Sequence, residues 1–412
     1  MIEWLANPLL LFLAVWGTTL ALYLAGVVAG TFPFPHVLTV GALLLNLAAF
    51  SVGYLTWSAF QGLTLQRTDL PLPCGQPLTP ERMERALAFT LLMGAIALGL
   101  ILYRVAVIAA YFDTGFLYLV THPALLRLRL VTFIEAGVAR TSPMVMLISI
   151  TSGFFAVGFV LLGASLHVRE MPRRYVYLCG FLLVAFAICL LNLSRYDMAV
   201  SILYLILAYC VTSPPAGGER PRRGAWGLLL PVVAVVIMFA VVELLLHKGA
   251  EYGQPGRLRG FLFSLYWYLA SPLAAFNEFL MNFQGSYELG QNTFFPFFKW
   301  LHRIHLVSAP DMSVYGEYVF IPHPANVYTY LRNFYEDFGL LGVAVIPYIL
   351  GWLLAAIKDR AGRSFPFLNL YVALLAPVAF SFYSYPLVSS QFYLQILFGF
   401  LFFRHAATLR PL

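Results

Sequence analysis

The sequence predicts an all-α polytopic membrane protein with about ten transmembrane helices. Hydrophobic residues make up 61% of its 412 positions. Only 10% are charged, where a water-soluble domain carries about 25%. Mean hydropathy is +0.82, and the apolar residues come in runs long enough to cross about 30 Å of hydrocarbon. A soluble fold of this size would lack the charge to cover its surface, so the excess is expected to face lipid.

Each span is read from such a run. Seven are expected before residue 250, at about 8–30, 37–60, 87–110, 143–165, 175–193, 197–213 and 226–246, and three after it, at about 339–357, 366–383 and 388–405. The chain is read as a single membrane domain over 1–412, with outer segments at 112–142 and 247–338. Near its start it carries Glu3 and no basic region, so the first apolar run is expected to be a span and not a cleaved signal.

Loop charges set the expected orientation. With the N-terminus inside, the inner loops hold Arg67, Arg82 and Arg85; Arg169, Arg173 and Arg174; Arg220, Arg222 and Arg223; and Lys358, Arg360 and Arg363. The tail adds Arg404 and Arg410. Most outer cations sit in long segments, which weigh little in the positive-inside rule. Both termini are therefore expected in the cytoplasm. Leu258–Leu280 is the exception to settle. Its Pro272, Asn277 and Glu278 suit a surface or re-entrant helix better than a full span, and it is read as lying on the outer face.

This orientation gathers ionisable residues at the outer face. Arg104 lies near the outer end of span 3, and Arg195 and Asp197 in the turn between spans 5 and 6. Glu243, His247 and Lys248 end span 7, while Glu336 and Asp337 open span 8. A charge at the bilayer centre costs about 2.5–3.5 kcal/mol on insertion scales, less where a long side chain snorkels. Such residues are either functional or interfacial anchors. The long outer segment adds Tyr266, Trp267 and Tyr268, a second aromatic group at Phe294–Trp300, and His302, His305 and His323. Those rings either stack on sugars or form an interfacial belt. The 112–142 segment, with His122, Arg127, Arg129 and Glu135, reads as an amphipathic surface helix.

Several function classes are excluded or left without support. The cations, 22 of 25 of them Arg, are scattered and form no nucleic-acid stripe. Their abundance is equally explained by phosphate recognition or by coding composition. Cys74, Cys179, Cys189 and Cys210 have no metal-ligand spacing and imply no disulfide framework. No metal or other cofactor is expected.

The stretch Pro324–Gly342, P-A-N-V-Y-T-Y-L-R-N-F-Y-E-D-F-G-L-L-G, resembles the signature of Wzy-type O-antigen polymerases, which join oligosaccharide repeat units. Leu193-Ser194-Arg195, Ser271-Pro272 with Ala275-Phe276, and Gly290-Gln291-Asn292-Thr293-Phe294 fit the same family. The related O-antigen ligases place a His directly before the Asn. Here that position is Ala325, and the nearest His is His323, which favours polymerase over ligase.

The resemblance implies a GT-C-like membrane fold and an undecaprenyl-diphosphate-linked oligosaccharide as substrate, used at the periplasmic face of the bacterial inner membrane. It allows a chain-length-regulating co-polymerase as partner. The lipid diphosphate is the leaving group, and guanidinium groups suit its developing charge without a metal. Arg195, Arg104 and Arg332 are the diphosphate candidates; His323, Asp337 and Glu336 are the candidate bases for the acceptor hydroxyl. Tyr266, Trp267, Tyr268, Asn326 and Tyr328 are candidate glycan contacts. A ligase-like transferase and a lipid-linked oligosaccharide transporter are the competing expectations.

Overall fold

A computed structural model describes residues 5–63, 78–135, 143–168, 170–192, 195–213, 233, 237, 240–241, 257–308, 318–383, 387 and 389–403. Its helices are α1 (Pro8–Val28), α2 (Val37–Leu63), α3 (Pro80–Tyr111), α4 (Phe116–Thr121), α5 (Pro123–Glu135), α6 (Pro143–Ser165), α7 (Arg174–Asn192) and α8 (Arg195–Thr212). After the long connection come α9 (Arg257–Asn282), α10 (Phe295–Arg303), α11 (Leu331–Ala361), α12 (Phe365–Ala379) and α13 (Ser390–Phe403). The described strands, β1 (Val319–Phe320) and β2 (Pro324–Ala325), form one short antiparallel pair, with Val319 opposite Ala325.

Six of these helices are long and apolar enough to cross a membrane: α1, α2, α3, α6, α7 and α11. The helices at 196–212, 365–379 and 390–403 fall on three further expected spans but are shorter. At 1.5 Å per residue, fourteen residues reach about 21 Å, short of the hydrocarbon thickness. The expected span at 226–246, with Glu243, His247 and Lys248 at its end, lies outside the described residues apart from 233, 237, 240 and 241. The chain is thus a helical membrane protein.

Local sequence explains the helix starts. Asn7 accepts hydrogen bonds from Leu9 N (3.1 Å) and Leu10 N (3.4 Å), and Pro8 occupies the first helical position. The start of α3 is earlier than its apolar run. Thr79 caps it, Pro80 begins it, and the exposed Glu81–Arg85 pair decorates its first turns.

The residues group into two compact units. The first comprises Met1–Leu72, Leu258–Arg360 and Ala373–Phe392; the second Pro73–Arg257, Ala361–Val372 and Tyr393–Leu412.

In the first unit, glycines bring α2 against α11. A Cβ at Gly53 would strike the Tyr348 carbonyl, and one at Gly351 the Phe50 carbonyl. Small residues at membrane helix crossings allow this backbone approach. Tyr330, just before α11, donates to Asn46 Oδ1 (2.7 Å), while Lys358 Nζ reaches Tyr54 Oη (3.4 Å). The helices cross at Gly53 and Gly351, and the contacts on either side, Asn46 with Tyr330 and Tyr54 with Lys358, rise together, so α2 and α11 run in the same direction.

Helix α9 packs on the joined ends of α1 and α2. Tyr266 touches Leu22 and Gly26, and Trp267 packs its ring near Phe32. Asn277 Oδ1 accepts from His36 N (2.8 Å) and Thr39 Oγ1 (2.7 Å). These contacts fit a helix lying across that turn. Residues Ala270–Asn277 are buried on every side, Pro272 included.

The second unit is built on α3, α6, α7 and α8. Gly94 and Gly158 leave room for Phe155 and Phe181, and Gly163 lies on the Leu205 carbonyl. The α4–α5 hairpin closes the end of α3 through Ile108, Leu119, Leu126 and Phe133. There Arg129 sits 4.4 Å from the Phe112 ring centroid. The side chain of Glu135 lies outside the described residues.

The turn after α6 carries a histidine with a defined proton. His167 Nε2 lies 2.9 Å from the Tyr209 carbonyl, and because a carbonyl only accepts, Nε2 carries the hydrogen. Arg174 donates to the Leu166 and Val168 carbonyls, capping the end of α6. Burial pushes His167 below its usual 6.5; the Tyr209 carbonyl opposes this and Arg174 reinforces it. The folded state therefore binds this proton less well than the unfolded chain. The neutral ring's contribution to stability is full above about pH 6.5 and is lost as pH falls through the lower folded value. Thermal melting at pH 7.5 and pH 5 should show this loss, and His167→Gln should flatten it. Equal pH dependence in the variant counts against the assignment.

Candidate functional site

The stretch Pro324–Gly342 folds around a single kink. Gly339 has φ 60° and ψ −147°, a conformation open to glycine and strained for other residues. It divides α11 into a short helix before it and the membrane-crossing helix after it. A Cβ at Gly339 would strike the Tyr287 hydroxyl, and one at Gly342 the Phe334 carbonyl across the kink. Glu336 and Asp337 therefore sit in the short helix above the kink, where the sequence put them at the opening of span 8. Likewise, Asp197 lies in the first turn of α8 and not in the turn preceding it.

Asp337 is fully buried, and its carboxylate is occupied. Oδ1 accepts from Asn292 N (3.1 Å) and Oδ2 from Thr293 N (2.5 Å). Thr293 Oγ1 donates to the Asn333 carbonyl (3.3 Å), Asn333 Nδ2 to the Asn292 carbonyl (3.3 Å), and Glu288 N to the Glu336 carbonyl (3.1 Å). Phe338 also closes on Gly290, which has φ 99°. Two motifs recognised separately, Gly290–Phe294 and Asp337–Gly339, thus form one stitched unit.

One turn earlier, Arg332 faces an aromatic wall. Its guanidinium carbon lies 4.1 Å from the Tyr328 ring centroid and 5.0 Å from that of Phe279. Its Nε is 3.6 Å from Glu336 Oε2, with side-chain exposures of 13% and 26%. Arg332 Nε is buried and has no hydrogen-bond partner among the described residues. The wall continues through Phe283, Tyr287 and Tyr335, with Tyr335 set edge-on to Phe279 and Phe283 at 6.3 and 5.5 Å. Cation–π contacts of this kind contribute about 0.5–2 kcal/mol each.

The sequence did not single out Phe279, Phe283, Tyr287 or Tyr335. Phe279, Phe283 and Tyr287 recur every four residues, but α9 ends at Asn282, so this helical spacing does not place them on one face. Their meeting with Tyr335 is a tertiary contact that no local pattern encodes.

The other candidates are placed as follows. His323 is half-buried, with its ring edge-on to Trp267 (5.3 Å) and Phe263 (5.9 Å). Trp267 is buried and Tyr266 is turned toward α1, so both serve the seat of α9. Tyr268 packs near Tyr383 at 5.8 Å. Asn326 follows β2 and is half-buried; Tyr328 lies beneath Arg332.

Arg104 and Arg195 belong to the second unit. Arg104 donates to Asn192 Oδ1 at the end of α7, three residues before Arg195. Arg195 opens α8, and its side chain lies outside the described residues, as do Leu193 and Ser194. Among the described residues, no group of three or more His, Cys, Asp or Glu could hold a metal ion.

No family model matches the chain, and no curated protein or solved structure is detectably similar to it.

Proposed function

We propose that this chain is an inner-membrane glycosyltransferase that polymerises undecaprenyl-diphosphate-linked oligosaccharide repeat units at the periplasmic face. The observation that carries the reading is the Arg332–Glu336 pair set against the wall of Tyr328, Phe279, Phe283, Tyr287 and Tyr335. A hydrogen-bonding ion pair beside aromatic faces suits a sugar, whose hydroxyls need donors and acceptors and whose C–H faces stack on rings. The resemblance of Pro324–Gly342 to repeat-unit polymerases supports the same substrate class.

Arg332, already paired and held against two rings, serves the glycan better than the diphosphate for which the sequence nominated it. Glu336 accepts the proton of the acceptor hydroxyl as that oxygen attacks the anomeric carbon. The bond to the diphosphate oxygen breaks, and the electron pair leaves with the lipid diphosphate. Asp337, with both oxygens engaged by backbone amides, positions this helix and takes no proton. Arg104 and Arg195 remain diphosphate candidates on chemistry alone. Having both termini inside makes α2 and α11 run from outside to inside, in keeping with their parallel packing.

Deleting the gene separates the competing functions. The proposal expects single repeat units on the final acceptor and no long polymer. Polymer accumulating on undecaprenyl diphosphate would indicate a ligase, and lipid-linked units trapped at the cytoplasmic face a transporter.

A further inference from the structure

Helix α10 has an apolar face that the chain leaves exposed. Phe297 (43%), Trp300 (39%) and Ile304 (64%) recur every three to four residues, and Phe294 (40%) and Leu306 (68%) extend the face at either end. Lys299 and Arg303 flank it, with Arg303 in the last turn. A short helix with aromatic residues on one side and cations beside them is the composition of an interfacial membrane helix.

Its tether fixes where that face lies. The residues leading into α10 are bound to Asp337 through Asn292 N and Thr293 N, and Phe294, Phe298 and Phe338 gather around Gly290. Just past the kink, Leu340 and Leu341 are 42% and 69% exposed at the start of a helix apolar enough to cross the membrane. The apolar face of α10 therefore begins where the lipid-facing surface of α11 begins.

We infer that α10 is seated in the headgroup layer of the leaflet that α11 enters, with its aromatic face toward the acyl boundary and Arg303 and Lys299 on anionic phospholipid headgroups. This seat keeps the Gly290–Phe294 segment at a fixed depth, and through Asp337 it sets the depth of Arg332 and Glu336. The inference rests on the membrane character of the chain and not on its catalytic reading, and its test involves no turnover.

The test uses the full-length protein in lipid nanodiscs. Tryptophan quenching by lipids brominated near the headgroup is compared between the unaltered chain and Trp300→Phe. Trp300 is one of seven tryptophans, and Trp16 and Trp267 are buried, so its removal should lower the lipid-quenched emission by at least about one part in seven. Unchanged lipid quenching, or loss of a component quenched only by aqueous acrylamide, overturns the seat. The double variant Lys299→Glu/Arg303→Glu should lose that component in phosphatidylglycerol discs and keep it in phosphatidylcholine discs. Equal quenching of this variant in both discs overturns the anionic assignment.

Discussion

Replacing Arg332 with alanine should lower polymer formation about 100-fold while leaving the protein folded, the scale of loss when one positioned donor is removed from a site. The substitution removes the cation held against Tyr328 and Phe279 and, with it, the ion pair to Glu336. Arg332→Lys keeps the charge but loses the planar guanidinium that stacks on rings and forks to hydroxyls, and should retain about a tenth of activity. Arg332→Ala should stay folded but melt several degrees lower, because the guanidinium is largely buried and loses two cation–π contacts of about 0.5–2 kcal/mol each, whereas Arg332→Lys should melt closer to the unaltered protein. Polymer length on a gel, read beside thermal melting, checks the pair of expectations. Full-length polymer from the alanine variant would remove Arg332 from the site.

Asp337→Ala should behave in the opposite way, acting on stability first. It strips the acceptor from two buried backbone amides, Asn292 N and Thr293 N, at a cost of about 3–5 kcal/mol. Asp337→Asn keeps the shape but turns an amide N–H toward one of those donors, so it should fall between. The expected signature is a lowered melting temperature, with activity lost in step as the Gly290–Phe294 segment comes free. A stable but inactive Asp337→Asn protein would instead restore this residue to the role of general base.

Much of the fold was legible because it depends on composition along one stretch of chain. Nine described helices lie on expected spans, and the start of the eighth span at about 339 coincides with the Gly339 kink. Pro272, Asn277 and Glu278 marked 258–280 as an interrupted apolar run, read in the sequence as a surface helix. What it could not show was that Ala270–Asn277 would be buried on all sides by other elements. Asp337 was singled out, yet its partners lie about 45 residues earlier in the chain. Its role therefore reads differently once the contact is known. The aromatic wall was hidden for the same reason, since Phe279 and Tyr335 meet only in three dimensions.

We propose that lipid-linked repeat units are joined at the site built by Arg332 and Glu336. Purified protein in liposomes, given undecaprenyl-diphosphate-linked repeat units and no nucleotide sugar, should produce a ladder of lipid-linked oligomers and release undecaprenyl diphosphate. The ladder should be nearly absent with Arg332→Ala. Units that remain single with the unaltered, correctly folded protein, or an unchanged ladder from the Arg332→Ala variant, would contradict it.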